Sequence, residues 1–239
     1  MPNHYLPPDR VDQNYVRFPP DEARHISRSL RHRVGDRITA IDGVGYHYQI
    51  EITEIDKKEV AGIILQRQFR VGEPSIHLAL AQSLPKSRKF DSVVEKGTEI
   101  GVSEFIPFIS ERSVLRPRRR PVSRPDGKED RWRRIAISAV KQCGRSVLPT
   151  IRAVHDWKFF LDLCACFDET LVGVPGASSG LSVRNRTGGS VLLIIGPEGG
   201  FTKAELQELS RRKVDFFSFG DRILRAETAG LVGSALILY

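Results

Sequence analysis

Two segments rich in glycine and arginine hold the residue types best suited to chemistry. The first, Gly196-Pro197-Glu198-Gly199-Gly200-Phe201-Thr202, directly follows the apolar run Ser190-Val191-Leu192-Leu193-Ile194-Ile195. The second is Phe219-Gly220-Asp221-Arg222-Ile223-Leu224-Arg225-Ala226-Glu227-Thr228-Ala229. Glycine lets the backbone take positive φ and lets a ligand come close to main-chain polar groups. Arginine keeps its charge and forks onto phosphate or enolate-like oxygens. A glycine loop beside Arg222 and Arg225 is therefore suited to hold a polar or anionic ligand. A fixed guanidinium there also stabilises negative charge that develops on a substrate. The plainer readings are an ordinary strand-to-helix turn and a surface ion pair of one arginine with Glu227. No G-x-x-x-x-G-K-[ST] occurs and no G-x-G-x-x-G follows a strand, so a nucleoside without a triphosphate suits the loop better than a nucleotide held by its phosphates.

Other reactive residue types are sparse. Cys143, Cys164 and Cys166 are odd in number and lack C-x-x-C spacing, which argues against a disulfide framework and against zinc. His25, His32 and His77 are isolated, with no metal spacing between them. No metal is expected. Charge is more telling. The 239 residues carry a formal net charge of +8, and Arg112 to Arg134 alone holds ten basic residues against three acidic ones. Pro117, Pro121 and Pro125 keep that segment extended. Such a local excess favours a polyanionic partner over a merely solvated loop.

The elements that position these residues fall into two patterns. Up to about residue 70 the chain reads as short strands and turns. A helix starts at Pro20, with Asp21 as its N-cap, and runs to Gly35. Arg37–Ile41 and Tyr48–Ile52 alternate apolar and polar side chains around an Asp42-Gly43 turn, and residues 59–65 supply another strand. Several short strands with tight turns predict a small β-barrel. Val71-Gly72-Glu73-Pro74 marks the boundary. Beyond it, apolar strands at 76–81, 105–109, 170–174 and 190–195 alternate with helical patterns at 90–100 and 132–144. Thr202 with Glu205 has the form of a capping box. Glu227 and Thr228 open a helix of small residues: Ala229, Gly230, Gly233, Ser234 and Ala235. This alternation predicts an α/β domain with a mostly parallel sheet covered on both faces. Hydrophobic residues make up 40% of the chain, enough to build a real core. No apolar run approaches the ~20 residues needed to span a bilayer, and the N-terminus lacks a signal-peptide pattern. A cytoplasmic location is expected.

Together the two glycine and arginine segments resemble the C-terminal signature of the SPOUT superfamily. They are most similar to the ribosomal RNA small-subunit uracil-N3 methyltransferases. Leu84-Pro85-Lys86, Glu95-Lys96-Gly97-Thr98-Glu99-Ile100-Gly101-Val102, Ser110-Glu111-Arg112-Ser113 and Gln142-Cys143-Gly144-Arg145 agree in order. Ser29-Leu30-Arg31-His32-Arg33-Val34-Gly35-Asp36 resembles the PUA-like domain of that family. Phe219, Asp221 and Ala226 depart from leucine, proline and threonine, which are common at those places, and Lys141 stands where an acid is common.

The resemblance implies a PUA-like RNA-binding β-barrel over residues 1–72. Residues 73–239 would form a methyltransferase domain with a C-terminal trefoil knot. It further implies a homodimer, small-subunit ribosomal RNA as substrate and S-adenosylmethionine as methyl donor. The donor's pocket is expected to be lined by Val172, Gly173, Ile195, Gly196, Pro197, Glu198, Gly199, Gly200, Phe219, Gly220, Ile223, Leu224 and Arg225. Arg222 and Arg225 are the expected catalytic residues. One of them acts as an electrostatic stabiliser rather than a base, because guanidinium stays protonated. Arg31, His32, Lys86, Arg112, Arg116, Arg118, Arg119, Arg120 and Arg145 are expected to face RNA. A ribose 2′-hydroxyl or another base as target, and an inactive RNA-binding assembly factor, are the competing readings.

Overall fold

Side-chain alternation builds the N-terminal sheet. In the computed structural model, which describes residues 3–56, 59–86, 88–113, 127–181 and 188–239, the strands are β1 (His4–Tyr5), β2 (Val11–Asp12), β3 (Tyr15–Arg17), β4 (Arg37–Ile41), β5 (Tyr46–Ile55) and β6 (Val60–Phe69). Along β5, Tyr48, Ile50 and Ile52 are buried while the residues between them are only half covered, as period-two geometry requires. The sheet order is β1-β4-β5-β6-β3-β2. Only the β1–β4 pair is parallel. Leu6, Val16, Phe18, Ile26, Ile38 and Val60 complete its core. The expected barrel is thus a curled mixed sheet. Its ladder runs from β1 to β2 without a closing pair among the described residues.

The helix of this unit is shorter than the sequence suggests. α1 covers Pro20–Arg24 and continues as one wide turn over His25–Ser29. Pro19, not Asp21, occupies the N-cap position. Proline at the first helical position supplies the required φ and has no N–H to leave unpaired. Arg31 then takes φ +57, which ends the helical path before Arg33 and Gly35.

The second unit is built on strands that are apolar throughout, because both their faces are covered. In chain order its elements are β7 (His77–Ser83), α2 (Lys89–Ile100), β8 (Glu104–Phe108), α3 (Lys128–Cys143), β9 (Thr150–Ile151), α4 (Trp157–Leu163), β10 (Glu169–Gly173), β11 (Ser190–Ile195), α5 (Lys203–Ser210), β12 (Asp215–Phe217) and α6 (Ala226–Leu238). Every ladder is parallel, in the order β12-β10-β11-β7-β8-β9. Beneath one face, Phe160 of α4 and Leu209 of α5 pack with Ala79, Phe108, Leu192 and Ile194. On the other, α6 lies on β7 and β11 and against α2. Its small residues allow this closeness. A Cβ on Gly230 would come within 2.6 Å of Gln82 Oε1, and one on Gly233 within 2.9 Å of Leu193 Cδ2.

The two compact units are Met1–Glu73 with Ile137–Leu148, and Pro74–Ala136 with Pro149–Tyr239. Helix α3 therefore contributes residues to both. Among the described residues no helix is long and apolar enough to cross a membrane.

Candidate functional site

Three loops leave the carboxyl ends of neighbouring parallel strands and meet. Gly173 ends β10 with Val174 and Pro175 following it, residues 195–201 leave β11, and residues 218–226 connect β12 to α6. They wall one cavity of about 450 Å³. Open parallel sheets place ligands at such strand ends, and the volume falls within the ~300–1,000 Å³ of small-molecule sites. Ile195, Val174, Leu206 and Leu224 give it apolar walls, while Glu198, Arg222 and Arg225 bring charge. Gly200 and Gly220 turn the two loops at φ +68 and +81, where a side chain would be strained.

Several contacts fix these loops. Thr202 Oγ1 accepts the Glu205 N–H at 3.2 Å, and Glu205 Oε2 accepts the Thr202 N–H at 2.8 Å, which is the expected capping box. The other oxygen of Glu205 accepts the Glu111 N–H at 2.8 Å. One buried carboxylate thus ties the segment after β8 to the start of α5. That segment is also held by a buried serine cluster. Ser113 Oγ lies 2.9 Å from Ser83 Oγ and 3.1 Å from Ser110 Oγ, and it accepts the Ser110 N–H at 2.8 Å. From this platform Arg112 donates to the Gly199 carbonyl at 3.1 Å.

Charge is arranged asymmetrically around the cavity. Lys89, at the start of α2, sits 3.0 Å from Glu227 and 3.8 Å from Glu198. Burial pushes the Glu227 carboxyl up, but its own backbone amide and Lys89 outweigh this and hold it below the usual carboxylate range. Glu227 is therefore ion-paired with Lys89, and the Arg225 charge lowers it further from beyond ion-pair distance. Arg222 and Arg225 are exposed on the cavity wall, and among the described residues neither has a carboxylate within ion-pair distance. The described residues contain no cluster of three or more histidines, cysteines or carboxylates able to hold a metal.

Residues 72–238 match the family described as the RNA methyltransferase domain, and residues 18–65 match the RNA methyltransferase PUA domain. The chain belongs to the RNA methyltransferase family. It is 31% identical over 227 residues to ribosomal RNA small subunit methyltransferase E of Bacillus subtilis, covering 92% of this chain and 88% of that one. The Buchnera aphidicola protein of the same name is 28% identical, over 97% of this chain and 90% of its own length. Among solved structures, a ribosomal RNA small subunit methyltransferase E from Neisseria gonorrhoeae, bound to S-adenosyl methionine, superposes with a TM-score of 0.85 at 29% identity. It covers 98% of this chain and 95% of that one.

In this RNA methyltransferase the expected pocket residues Gly173, Ile195, Gly196, Pro197, Glu198, Gly199, Gly200, Phe219, Gly220, Ile223, Leu224 and Arg225 line one cavity together with Arg222. Val172 does not. It is fully buried in β10, and its side chain belongs to the core beneath α4 and α5, because adjacent strand residues face opposite ways. Arg145 also departs from expectation. It is 3% exposed and pairs with Glu73, itself 4% exposed, at 2.9 Å, so its guanidinium is spent inside the protein. Arg31 and Lys86 are exposed, and His32 is partly covered, with Nδ1 3.1 Å from Asp36. Arg116, Arg118, Arg119 and Arg120 lie outside the described residues. Sequence reasoning passed over Val174, Pro175, Leu206, Ser218, Ala226 and Ala229, all on the cavity wall, and Lys89. Their signal was adjacency. Each wall residue follows a strand end or begins a helix already singled out, whereas nothing in the sequence joined Lys89 to Glu227.

Proposed function

We infer that this chain transfers a methyl group from S-adenosylmethionine to N3 of a uracil in small-subunit ribosomal RNA. The observation that carries the reading is the meeting of three strand-end loops on one cavity, with two exposed arginines on its wall that have no carboxylate within ion-pair distance among the described residues. The residues fit the donor. Apolar walls at Ile195, Val174 and Leu224 suit a purine. Main-chain groups of residues 196–200 and 219–220 suit its polar edges, and the size suits a nucleoside. When bound, S-adenosylmethionine supplies a methyl group made electrophilic by its sulfonium.

The protein's share of the work is placement and electrostatics. Its loops align the acceptor for in-line attack, on a base that must be unpaired to expose N3. Loss of the N3 proton to solvent spreads negative charge over the two flanking carbonyl oxygens. A guanidinium fixed beside them favours that anion, which is the role given to Arg225 or Arg222. Neither serves as a base. Glu198 orients within the cavity and is itself held near Lys89.

Three further features belong to this reading. The C-terminal segment forms a trefoil knot, supported by an all-parallel sheet whose strand-end loops at 195–201 and 218–226 come together. Two copies form a homodimer, supported by exposed apolar residues on and beside α6: Ile223 at 81%, Val232 and Leu236 at 37% each, and Tyr239 at 87%. Residues 1–72 act as the RNA-gripping domain, and a ribosomal substrate places the protein in the cytoplasm.

The test uses donor carrying a deuterated methyl group, with small-subunit ribosomal RNA or assembled subunits as acceptor. Nucleoside mass spectrometry is expected to find the label in 3-methyluridine. Label on a ribose or another base would replace the N3 assignment. Absence of label, together with no calorimetric heat from S-adenosylmethionine, would leave only an RNA-binding factor.

A further inference from the structure

We propose that the end of the β5–β6 hairpin is a stacking platform for an unpaired RNA base, made by Tyr46 and Phe69 with Arg70 at its edge. The proposal rests on RNA being the substrate, and it adds a contact site in the N-terminal unit that the methyl-transfer chemistry does not require.

The platform is built in two layers. Tyr46 pairs with Phe69 across the strands, and their rings lie 5.0 Å apart at 54°. They remain 41% and 61% exposed, with Val44 beside them at 60%. Beneath lies Tyr48, only 4% exposed, its ring stacked on that of Tyr46 at 6.0 Å and 27°. The lower layer is rigid. The buried carboxylate of Asp42 accepts the N–H groups of Val44, Gly45 and Tyr46 at 2.9, 3.1 and 2.9 Å, and its other oxygen accepts the Tyr48 hydroxyl at 3.0 Å. Desolvation and the Asp42 charge push the Tyr48 phenol well above its usual range, so it stays a donor. Arg67 covers the Tyr48 ring at 5.9 Å and is anchored to the Gln13 carbonyl and to Asn14 Oδ1.

Gly45 completes the arrangement. At φ +126 it has no Cβ, and one placed there would stand 2.6 Å from the Phe69 ring. Phe69 is therefore seated on the backbone rather than free to swing. The Arg70 N–H bonds the Gly45 carbonyl at 2.7 Å, and Arg70 itself, exposed and at φ +56, directly follows the end of β6.

Chemistry selects the occupant. Contiguous exposed aromatic surface of this kind marks an interaction site. Two fixed rings with an arginine at the margin match how single-stranded RNA is bound, by stacking on aromatic faces with a cation near the phosphate. The one carboxylate within the turn, Asp42, is 2% exposed and accepts four hydrogen bonds from the turn and Tyr48.

The experiment titrates the full-length protein with a short fluorescein-labelled single-stranded RNA at several salt concentrations, beside the same RNA with its bases removed. Phe69→Ala is expected to weaken binding to the intact RNA about tenfold, to leave binding to the abasic RNA unchanged, and to keep the slope of log K against log salt. Phe69→Trp is expected to restore affinity. Arg70→Gln is expected to reduce the slope by about 0.7. S-adenosylmethionine affinity, read by calorimetry, should not move in any variant. Unchanged RNA affinity in the Phe69→Ala protein overturns the proposal. So does a loss of self-association by that variant, which would give the surface to a second copy. A wild-type protein that binds no RNA fails the substrate reading itself, and the proposal with it.

Discussion

Arg145 and Arg225 are both arginines beside glycine-containing segments, yet they live in opposite surroundings. Arg145 is 3% exposed. Glu73 takes its guanidinium at 2.9 Å and also accepts the backbone N–H groups of Ser146 and Val147 at 3.0 and 2.9 Å. Every strong acceptor of that carboxylate is used in holding residue 73 to residues 145–147. Arg225 stands exposed at the N-cap position of α6, on a concave wall, with no carboxylate partner among the described residues. The first arginine is a component of the fold and the second is available to a ligand. The difference lies in whether the charge is already satisfied, since a buried ion left without its partner is costly.

The contrast breaks most visibly at Glu73. Glu73→Ala removes the carboxylate that pairs with a buried Arg145, so stability should fall by about 3–5 kcal/mol, read from the denaturant midpoint. Turnover measured well below the new melting temperature should stay within a few-fold. A loss under about 1 kcal/mol would place this pair with weak surface bridges and erase the distinction. Arg225→Ala should do the reverse. The melting temperature should hardly change, S-adenosylmethionine affinity should stay within a few-fold, and turnover should drop by about 10²–10³, the range seen on removing one group that stabilises developing charge. Equal losses of turnover and affinity would show that Arg225 merely shapes the cavity. Arg222→Ala, tested in parallel, identifies which guanidinium faces the base.

Much of this contrast was legible in the sequence, but unevenly. The apolar run 190–195 ending in Gly196, the capping box at Thr202 and Glu205, and the small-residue helix after Glu227 each state a local rule, and the structure follows each. Local pattern also found both loops of the cavity, because glycine and arginine types are informative before any contact is known. Burial was not legible. Gln142-Cys143-Gly144-Arg145 reads as well for a surface as for an interior. Only the approach of Glu73, which is 72 positions away, decides the matter. Val172 failed for a smaller reason. A strand residue next to a site points to it or away from it by alternation, and the motif did not fix the phase. The length of α1 failed because a left-handed residue at Arg31 depends on tertiary packing rather than on helix propensity.

Glu22 is the intermediate case, and it gives the smallest effect. Its side chain is 13% exposed, with His4 Nδ1 at 3.1 Å and the Lys141 ammonium bonded to its other oxygen. Burial raises its pKa, but hydrogen bonds and charge from His4 and Lys141 lower it more, so the net shift is below the reference value of 4.5. A carboxyl lowered in the folded state contributes stability that is present above the unfolded pKa. That contribution is lost as pH falls through the folded value. The Glu22→Gln protein should therefore be less stable than wild type near neutral pH, and its melting temperature should fall less steeply on acidification. The two curves should converge only once the pH has fallen through the lowered folded value, below the reference 4.5, where the native carboxyl is protonated as well. A gap that persisted undiminished into acid would mean that Glu22 acts through packing and neutral hydrogen bonds. It would then stand with Asp42, whose carboxylate organises a turn, rather than with Glu73, whose charge is the point.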